Sequence, residues 1–507
     1  MNRTAILLFF SSIVLAGLFP ACTDWEDDYS TNPSHQLTFS VDTLAFDTVF
    51  TAVGSATRQF MVYNANKEAL LIESIGLTNA ERTGFRINVD GRAGESFSGI
   101  RIAGKDSMYV FVEVTVDPTG KDQPLLIEDH VAFTVNGVTK SVLLQAYGQD
   151  VHLFKGGVVM TKDTLLTGKR PFLVYDSVVV NAGVTVTIEK GASFHLHNEA
   201  RWIVSGTIKA FGTREEPVTF RGDRLDRLLE ELPYDLVPGQ WGRMIFKAES
   251  YDNEMEYVAV RNGMGGLVFE ASTPERSKLK ITNSQITNMD DNLLSAVNCR
   301  IEAVNTEFTN ATGYVLALTG GSYHFTHCTV ANYMRIKRRK TACLTLANVV
   351  EETGDGGAGK TAFPLDAVFD NCIVDGSYAA GADSLGGELE IRLEGDVAAR
   401  YLFNHCVVKT KKIDNPAFVN VQFEESPAYK LLSWDGEDQT FVYDFRLETG
   451  KDEQGVAEKE QVAIGKADPV IAGQYPVDRY GVNRLTSEDG PDIGAAEYVP
   501  TPEKEER

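Results

Sequence analysis

The sequence predicts an all-β chain in which a β-sandwich is followed by a right-handed parallel β-helix solenoid. The sandwich is predicted by short segments of alternating apolar and polar residues between about 37 and 149. The solenoid is predicted by an eight-residue motif that returns after 22 residues later in the chain. With 507 residues, 43% of them hydrophobic, the chain is long enough to form two separate cores.

The repeated motif defines the expected interior of the solenoid. It reads ITNSQITN at 281–288, AVNTEFTN at 303–310 and FTHCTVAN at 325–332, with looser copies FDNCIVDG at 369–376 and FNHCVVKT at 403–410. Stacking the copies aligns three columns, which are Ile281, Ala303, Phe325, Phe369 and Phe403; Ile286, Phe308, Val330, Val374 and Val408; and the small residues Ser284, Thr306, Cys328, Cys372 and Cys406. A parallel β-helix needs such columns, because each coil buries its apolar face only against like residues of its neighbours.

Three interruptions of the period mark where a binding face is expected. They lie at 221–239, 333–340 and 351–360, and insertions in a solenoid collect on one side of it. Between the third and fourth copies the spacing doubles to 44 residues. We expect one enlarged coil there, with a strand at 343–347.

The start of the chain has the features of an export signal. Arg3 precedes an apolar run from Ala5 to Phe19 that is too short to span a bilayer, and Cys22 follows Ala21 directly. This junction resembles the lipobox of bacterial lipoproteins, which implies that Cys22 becomes the lipidated first residue. An ordinary secretory signal with a chance cysteine is the alternative.

An acidic cluster follows Cys22. Its residues Asp24, Glu26, Asp27 and Asp28 resemble the export signal that sends Bacteroidota-type lipoproteins to the outer face of the outer membrane. A solvated tether is the alternative, and the periplasmic or outward orientation stays open. The expected division of the chain is a signal peptide at 1–21, the lipidated cysteine and acidic tether at 22–36, the sandwich at 37–150, the β-helix with its closing segment at 151–500, and a charged tail at 501–507.

Both predicted domains resemble known families. YNANKEALLIESI at 63–75 and FVEVTVDP at 111–118 resemble the immunoglobulin-like domains of the Hydin type, which implies a spacer or interaction module without catalytic residues. GVTVTIEKGA at 183–192 and WIVSGTIKAFGT at 202–213 resemble the first coils of bacterial right-handed β-helix proteins, and DIGAAEY at 492–498 resembles their closing segment. That fold hosts lyases, hydrolases, adhesins and scaffolds, so it implies no single activity.

Charge and cysteine usage exclude several classes of function. The formal charge of −23 argues against nucleic acid as a partner, because phosphate contacts need a basic surface. The five cysteines after Cys22 are odd in number and form no CxxC pair, which argues against a disulfide framework and a zinc site. We expect them in the core and expect no cofactor, with calcium considered only for a lyase.

The basic segment at 333–340 is the main candidate for a functional site. Tyr333, Arg335 and Lys337 are its candidate ligand-binding residues, and Lys337, Arg338, Arg339 and Lys340, with Asp290 and Asp291, are weak catalytic candidates. Arg335-Ile336-Lys337 resembles the RIK motif of pectin-hydrolysing glycosidases, whose cations hold a substrate carboxylate, and the two aspartates resemble the acid pair of that family. The NTD motif before that pair and the Gly-His after it are missing here, which puts glycoside hydrolysis in doubt.

The charged and aromatic candidates and the histidines also have structural interpretations that involve no catalysis or metal binding. A polysaccharide lyase would use the cations as base and the aspartates as metal ligands, but a solvated loop and a turn explain them as well. His195 and His197 have the spacing of a metal pair without a third ligand nearby, and His327 and His405 occupy an asparagine position of the repeat. Five aromatic residues near the insertions are candidates for stacking on sugars: Tyr234, Trp241, Tyr333, Tyr378 and Trp434.

These observations favour a non-catalytic, lipid-anchored envelope protein that binds a glycan or a protein through a face of its β-helix. A polysaccharide lyase or glycosidase acting on an acidic glycan is the first alternative. A purely structural envelope component is the second.

Overall fold

The computed structural model describes residues 29–51, 53–229, 232–354, 357–380, 386–432, 434–435, 440–449 and 461–500. The chain divides into two compact units, Met1–Asp150 and Val151–Arg507. The predicted fold class is confirmed, because strands in a sandwich and then in a parallel β-helix make up nearly all regular structure. The predicted lipidation residue Cys22, the acidic cluster after it and the tail at 501–507 lie outside the described residues.

The first unit is a sandwich of two sheets with a shared apolar core. One sheet has the strand order Thr38–Phe39, Arg58–Tyr63, Ser107–Val114, Phe85–Val89 and Arg92–Gly94. The other has the order Thr43–Phe50, Val138–Gln149, Leu125–Val135, Leu70–Leu77 and Ser96–Phe97, with Ile100–Ile102 also paired to Leu70–Leu77. A short helix, Ala80–Thr83, precedes Phe85–Val89.

Alternation fixes which side chains fill this core. Val110, Val112 and Val114 point inward from one strand and are fully buried. The alternating apolar and polar residues of 58–63 and 107–114 form strands with those bounds in the structure. Period-two alternation therefore gave both the position and the buried face of these strands.

The second unit is a solenoid built from two parallel sheets. The first sheet contains His152–Phe154, Phe172–Val174, Ser193–Leu196, Val218–Gly222, Val258–Arg261, Gln285–Met289, Glu307–Ala311, Thr329–Asn332, Ile373–Gly376, Val407–Val408 and Gln422–Phe423. The second contains Val158–Met160, Thr164–Leu166, Val178–Val180, Thr185–Glu189, Trp202–Val204, Thr207–Phe211, Met244–Phe246, Asn253–Glu256, Leu267–Phe269, Leu279–Thr282, Leu294–Val304, Leu316–Thr326, Leu344–Ala347, Leu365–Asp370, Leu389–Arg392, Ala399–Asn404 and Phe418–Val419. Every pairing within the two sheets joins one coil to the next in parallel register.

Smaller elements decorate the coils. In the described part of this unit, four two-stranded antiparallel pairs lie outside the main sheets: Arg227–Leu229 with Leu232–Pro233, Val349–Gly354 with Gly357–Ala362, Tyr429–Leu431 with Asp444–Leu447, and Trp434–Asp435 with Thr440–Phe441. The helical turns of this unit are Tyr234–Leu236, Pro469–Ala472 and Arg484–Thr486. Among the described residues, no helix is long and apolar enough to cross a membrane.

The three predicted columns are confirmed by the register. Phe325 pairs with Phe369, which pairs with Phe403, and their rings stack at centroid distances of 5.0 and 4.7 Å. In the small-residue column the Cys328 amide faces the Cys372 sulfur at 3.4 Å, and all five described cysteines are free and buried. The thiols therefore pack as compact apolar groups, as the sequence predicted.

The doubled spacing is one enlarged coil, as expected. Thr329–Asn332 pairs directly with Ile373–Gly376, so no further coil lies between them. Leu344–Ala347 supplies the expected strand and pairs with both Leu316–Thr326 and Leu389–Arg392. The described residues of the interruption at 351–360 belong to the antiparallel strands Val349–Gly354 and Gly357–Ala362.

A left-handed turn explains the asparagines near the start of each motif copy. Asn283, Asn305, His327, Asn371 and His405 all have φ between 48° and 53°. Asparagine tolerates this conformation better than most residues, because its short polar side chain bonds locally. His327 and His405 take the same turn position, in agreement with the turn interpretation.

The closing segment, which in the structure comprises residues 468–498, docks on this row of turn residues. The Asp468 amide donates to Asn371 Oδ1 at 2.7 Å, and Asn305 Nδ2 donates to the Val477 carbonyl at 2.9 Å. Closing-segment residues such as Ile493 complete a small core over Ile373 on the outer face of the first sheet. The closing segment thus covers the end of a face that would otherwise expose apolar side chains.

Candidate functional site

A groove of ≈ 450 Å³ lies over the enlarged coil. Its lining consists of Met334, Arg335, Ile336, Lys337, Arg338, Arg339, Ser377 and Tyr378. Arg335, Lys337 and Arg338 are exposed. The segment that sequence analysis selected therefore forms one wall of a groove, with Ser377 and Tyr378 on the next coil facing it.

Lys337 links the basic segment to Asp290, next to the end of the insertion at 221–239. Its Nζ donates to Asp290 Oδ2 at 2.7 Å, a contact between residues 47 positions apart. Gly239, at the end of the insertion at 221–239, has φ 88°, and a Cβ there would lie 3.0 Å from Asp290 Oδ2 and 3.4 Å from Lys337 Nζ. Glycine is required here because the backbone needs the left-handed region and approaches the ion pair closely.

Asp291 is separate from this ion pair. Its carboxylate is exposed and lies 3.7 Å from the Arg243 guanidinium. Arg243 precedes the two aspartates in the chain, whereas Lys337, the partner of Asp290, follows them. The two aspartates thus neutralise different cations. A shared metal site at Asp290 and Asp291 has no support in this geometry, and the described residues contain no group of three His, Cys, Asp or Glu that could hold a metal ion.

Arg335 and Arg338 retain charge that no described carboxylate neutralises. The Arg335 guanidinium lies over the Phe441 ring at 5.2 Å, and its amide donates to the Tyr443 hydroxyl at 3.1 Å. Within the described part of the chain, neither arginine has an acidic oxygen within 4.0 Å. Lys340 is also exposed, and its backbone amide donates to the Thr312 carbonyl at 3.0 Å.

The prediction that Arg339 contributes to a reactive surface is wrong. Arg339 is only 6% exposed, and its guanidinium donates to Glu388 Oε2 at 2.6 Å and Oε1 at 3.0 Å. It also donates to the Asn332 carbonyl at 2.7 Å and to Ser377 Oγ at 2.8 Å. Arg339 therefore anchors the groove wall to the adjacent coil and cannot meet a ligand as a free cation.

Tyr333, the candidate for ligand binding and sugar stacking, is partly buried and is not among the residues that line the groove. Its hydroxyl donates to Asp375 Oδ2 at 2.8 Å, and Tyr429 donates to the same oxygen at 2.9 Å. Burial, reinforced by the Asp375 charge, raises the pKa of Tyr333. Burial likewise raises the pKa of the Asp375 carboxyl. The Tyr333 hydroxyl is therefore engaged in a buried polar cluster.

Tyr378 is the aromatic residue that faces the groove. Its ring lies 4.2 Å from the Arg339 guanidinium carbon, which fixes its position, and its amide donates to Glu388 Oε1 at 2.8 Å. Trp241, in contrast, is buried and donates from Nε1 to the Arg261 carbonyl at 2.8 Å. Tyr234 lies under the Arg224 guanidinium at 4.2 Å, and the Trp434 side chain is outside the described part.

The two histidines of the early coils do not share a ligand. His195 is buried in its strand, with Nε2 at 3.0 Å from Ser193 Oγ. His197 lies past the strand end, 2.7 Å from Asp223 and stacked on Tyr175 at 4.4 Å. Burial, with the charges of Arg221 and Arg261, lowers the pKa of His195 to about 3. His195 is therefore neutral at physiological pH and is not part of an acid–base pair with His197.

Sequence analysis missed a second cationic cluster, formed by Arg221 and Arg261 on adjacent strands of the first sheet. Both guanidiniums contact Asp235 Oδ1, at 3.0 and 2.7 Å. The signal available in sequence was an arginine directly after each buried Phe220 and Val260. That signal identifies a pair only once the register of the two strands is known.

Comparisons with known proteins do not assign the chain to a family. No protein-family model matches the chain. A 100-residue stretch is 35% identical to Protein bark beetle of Drosophila melanogaster, covering 20% of this chain and 3% of that protein. The chain thus matches only a small fraction of the length of this relative.

Solved structures show only distant likenesses. The catalytic domain of a GH87 alpha-1,3-glucanase in complex with nigerose is 10% identical, with a TM-score of 0.21 over 73% of this chain and 87% of that one. The E. coli chaperone DraB is 13% identical, with a TM-score of 0.17 over 22% of this chain and 54% of that one. A PapD-like domain of human CEP192 is 10% identical, with a TM-score of 0.16 over 26% and 96%. Likenesses this low establish neither a family nor an activity for the chain.

Proposed function

We propose that the β-helix binds an acidic glycan in the groove over the enlarged coil and does so without catalysis. The observation that carries the proposal is the pair of exposed guanidiniums, Arg335 and Arg338, which no described carboxylate neutralises. They line a groove with Tyr378 on a chain whose formal charge is −23. Exposed positive charge is thus concentrated where a concave surface and an aromatic ring also occur.

The chemistry of the lining matches an acidic sugar. Guanidinium groups form paired hydrogen bonds with carboxylate or sulfate oxygens, and each charge-assisted bond contributes about 1.5–3 kcal/mol. The ring of a tyrosine offers an apolar face and a polar edge, as a sugar ring does. Arg338 and Tyr378 line the same groove, so one glycan segment could meet both.

The contacts of Lys337 favour binding over lyase chemistry. A lyase base must be free to take a proton from the substrate, but Lys337 Nζ donates to the Asp290 carboxylate at 2.7 Å. Arg339 lines the groove, but its guanidinium is buried and paired with Glu388 and so is not available to act on a substrate. The remaining arginines stay protonated at any physiological pH. Position and charge thus suit ligand holding better than proton abstraction.

The cellular setting is part of the same proposal. The lipobox-like junction at Cys22 and the acidic residues after it support a lipid-anchored protein of the outer membrane, facing outward. The sandwich would then act as a spacer between the anchor and the β-helix. Binding of an envelope protein in place of a glycan is the competing outcome in the test below.

The direct test is binding of the mature chain to a panel of acidic and neutral polysaccharides, with calcium and with a chelator. We expect acidic polymers to bind, no oligosaccharides to be released, and binding to weaken as salt screens the cations. Release of fragments with unsaturated ends would show a lyase, and saturated reducing ends a hydrolase. Equal binding of neutral and acidic polymers, or no binding, would contradict the proposal.

Substitution ties the binding to the groove. Arg335→Gln with Arg338→Gln is expected to lower affinity by roughly tenfold or more, because each lost charge-assisted bond exceeds about 1.4 kcal/mol. Arg400→Gln is the matched control, since Arg400 is exposed and pairs with Asp366 at 2.6 Å away from the groove. A loss of affinity in the control variant of the same size would place binding elsewhere.

A further inference from the structure

A second site with excess positive charge lies on the first sheet, outside the groove. Arg221 and Arg261 extend from adjacent strands, whose register aligns Phe220 with Val260 directly before them. Both guanidiniums converge on one atom, Asp235 Oδ1, at 3.0 and 2.7 Å. The arginine side chains are 17% and 23% exposed, whereas that of Asp235 is 43% exposed. The carboxylate therefore forms the solvent side of an arginine pair.

The charges at this site do not cancel. Among the described residues, Asp235 is the sole carboxylate within 4.0 Å of either guanidinium. His195 pairs in register with Arg221 and stays neutral at physiological pH, so it adds no charge. Two cations and one anion leave an excess of one positive charge. In a half-buried site water screens that charge less than at an open surface.

The insertion that carries Asp235 is held by other groups. Gln240 Nε2 donates to the carbonyls of Tyr234 and Val237. Asn262 Nδ2 donates to the Asp235 carbonyl at 2.7 Å, and Asn288 Nδ2 donates to the Leu236 carbonyl at 2.6 Å. Side-chain amides from three successive coils thus fix the backbone at 234–237. The Asp235 carboxylate is not needed to keep the insertion in place.

We propose that Arg221 and Arg261 form an anion-binding site for a sulfate or carboxylate group, in which Asp235 acts as a built-in competitor. An intramolecular carboxylate at a fixed position weakens binding of an external anion, because both would bond to the same guanidiniums. The ligand chemistry is that of a free inorganic anion or of an acidic substituent on a sugar. This site is separate from the groove and does not depend on the proposed function.

Neutralising Asp235 is the discriminating test. Sulfate affinity is measured by calorimetry on the mature chain, with sodium chloride adjusted to hold ionic strength constant. Asp235→Asn is expected to bind sulfate about tenfold more tightly than the unmodified chain, the equivalent of about one charge-assisted bond. Arg261→Gln in the Asp235→Asn background is expected to return the affinity to the unmodified value or below.

A matched control lies on the same insertion. Asp226 pairs with Arg224 through contacts of 2.7 and 2.6 Å, and Asp226→Asn is expected to leave sulfate affinity unchanged. Circular dichroism checks that each variant is folded, and Asp235→Ser replaces Asp235→Asn if the latter is not. Sulfate affinity of the folded variant within twofold of the unmodified chain would overturn the proposal, as would an equal gain in Asp226→Asn.

Two further titrations separate the sources of the anion. In the variant that combines Asp235→Asn with Arg335→Gln and Arg338→Gln, a sulfated or uronic-acid oligosaccharide that binds more tightly than inorganic sulfate does would identify a sugar substituent as the ligand. Equal or weaker binding would identify a small free anion. When Arg335→Gln and Arg338→Gln have removed the groove cations, Asp235→Asn is still expected to raise sulfate affinity about tenfold, so the failure of this site and that of the groove are distinguishable.

Discussion

Replacing Arg339 with alanine should destabilise the β-helix far more than any neighbouring substitution in the basic segment. Arg339 is buried, and the side chain of its partner Glu388 is fully buried. Without the guanidinium, Glu388 keeps only the Tyr378 amide, at 2.8 Å, as a described hydrogen-bond donor. An uncompensated buried charge costs about 3–5 kcal/mol.

The measurement is the free energy of unfolding from urea titration, followed by circular dichroism. Arg339→Ala is expected to lose about 3–5 kcal/mol, and the exposed neighbour Arg338→Ala less than about 0.5 kcal/mol. The double variant Arg339→Met with Glu388→Met is expected to regain most of the loss, because it removes both charges at similar volume. A loss below about 1 kcal/mol for Arg339→Ala, or no recovery in the double variant, would refute the anchoring role.

Three further outcomes follow from the core. Phe369→Ala opens a gap in the stacked phenylalanine column and should cost about 3–5 kcal/mol in unfolding free energy, whereas the partly exposed Phe211→Ala should cost much less; equal losses would contradict the stacked core. The buried thiols should resist a thiol reagent in the folded chain and react fully in denaturant, and rapid labelling of the folded chain would contradict their burial. His195 has a folded-state pKa near 3, below its unfolded value. The unfolded chain therefore binds the extra proton, and stability should fall by up to about 1.4 kcal/mol per pH unit as pH drops below 6.5, a slope that His195→Gln should flatten; an unchanged slope would contradict this assignment.

The β-helix could be predicted from the repeated motif because a solenoid stacks similar residues of successive coils on one another. Ile281, Ala303 and Phe325 could be aligned from the 22-residue period, and Phe369 and Phe403 from the likeness of their motif copies; the register of the strands has the same alignment. The doubled spacing was also interpretable, since Thr329–Asn332 must pair with the next strand of the same column. The repeated motif thus predicted which residues of successive coils align from 281 to 410.

The site was only partly predictable, because it lies where the period is broken. Arg338 and Arg339 are adjacent and chemically alike, but one is exposed and the other is buried against Glu388, which is 49 positions away. The contact between Lys337 and Asp290 likewise depends on the coil geometry. Irregular loops have no side-chain period, so the direction of each residue follows from partners that only the folded chain brings together.

Hydrogen exchange with and without an acidic oligosaccharide tests the central claim most directly. If the groove binds the glycan, amides at 334–341 and 377–378 should become protected on addition of ligand, and the effect should vanish in Arg335→Gln with Arg338→Gln. Protection confined to another face of the β-helix, or unchanged exchange at saturating ligand, would contradict the account.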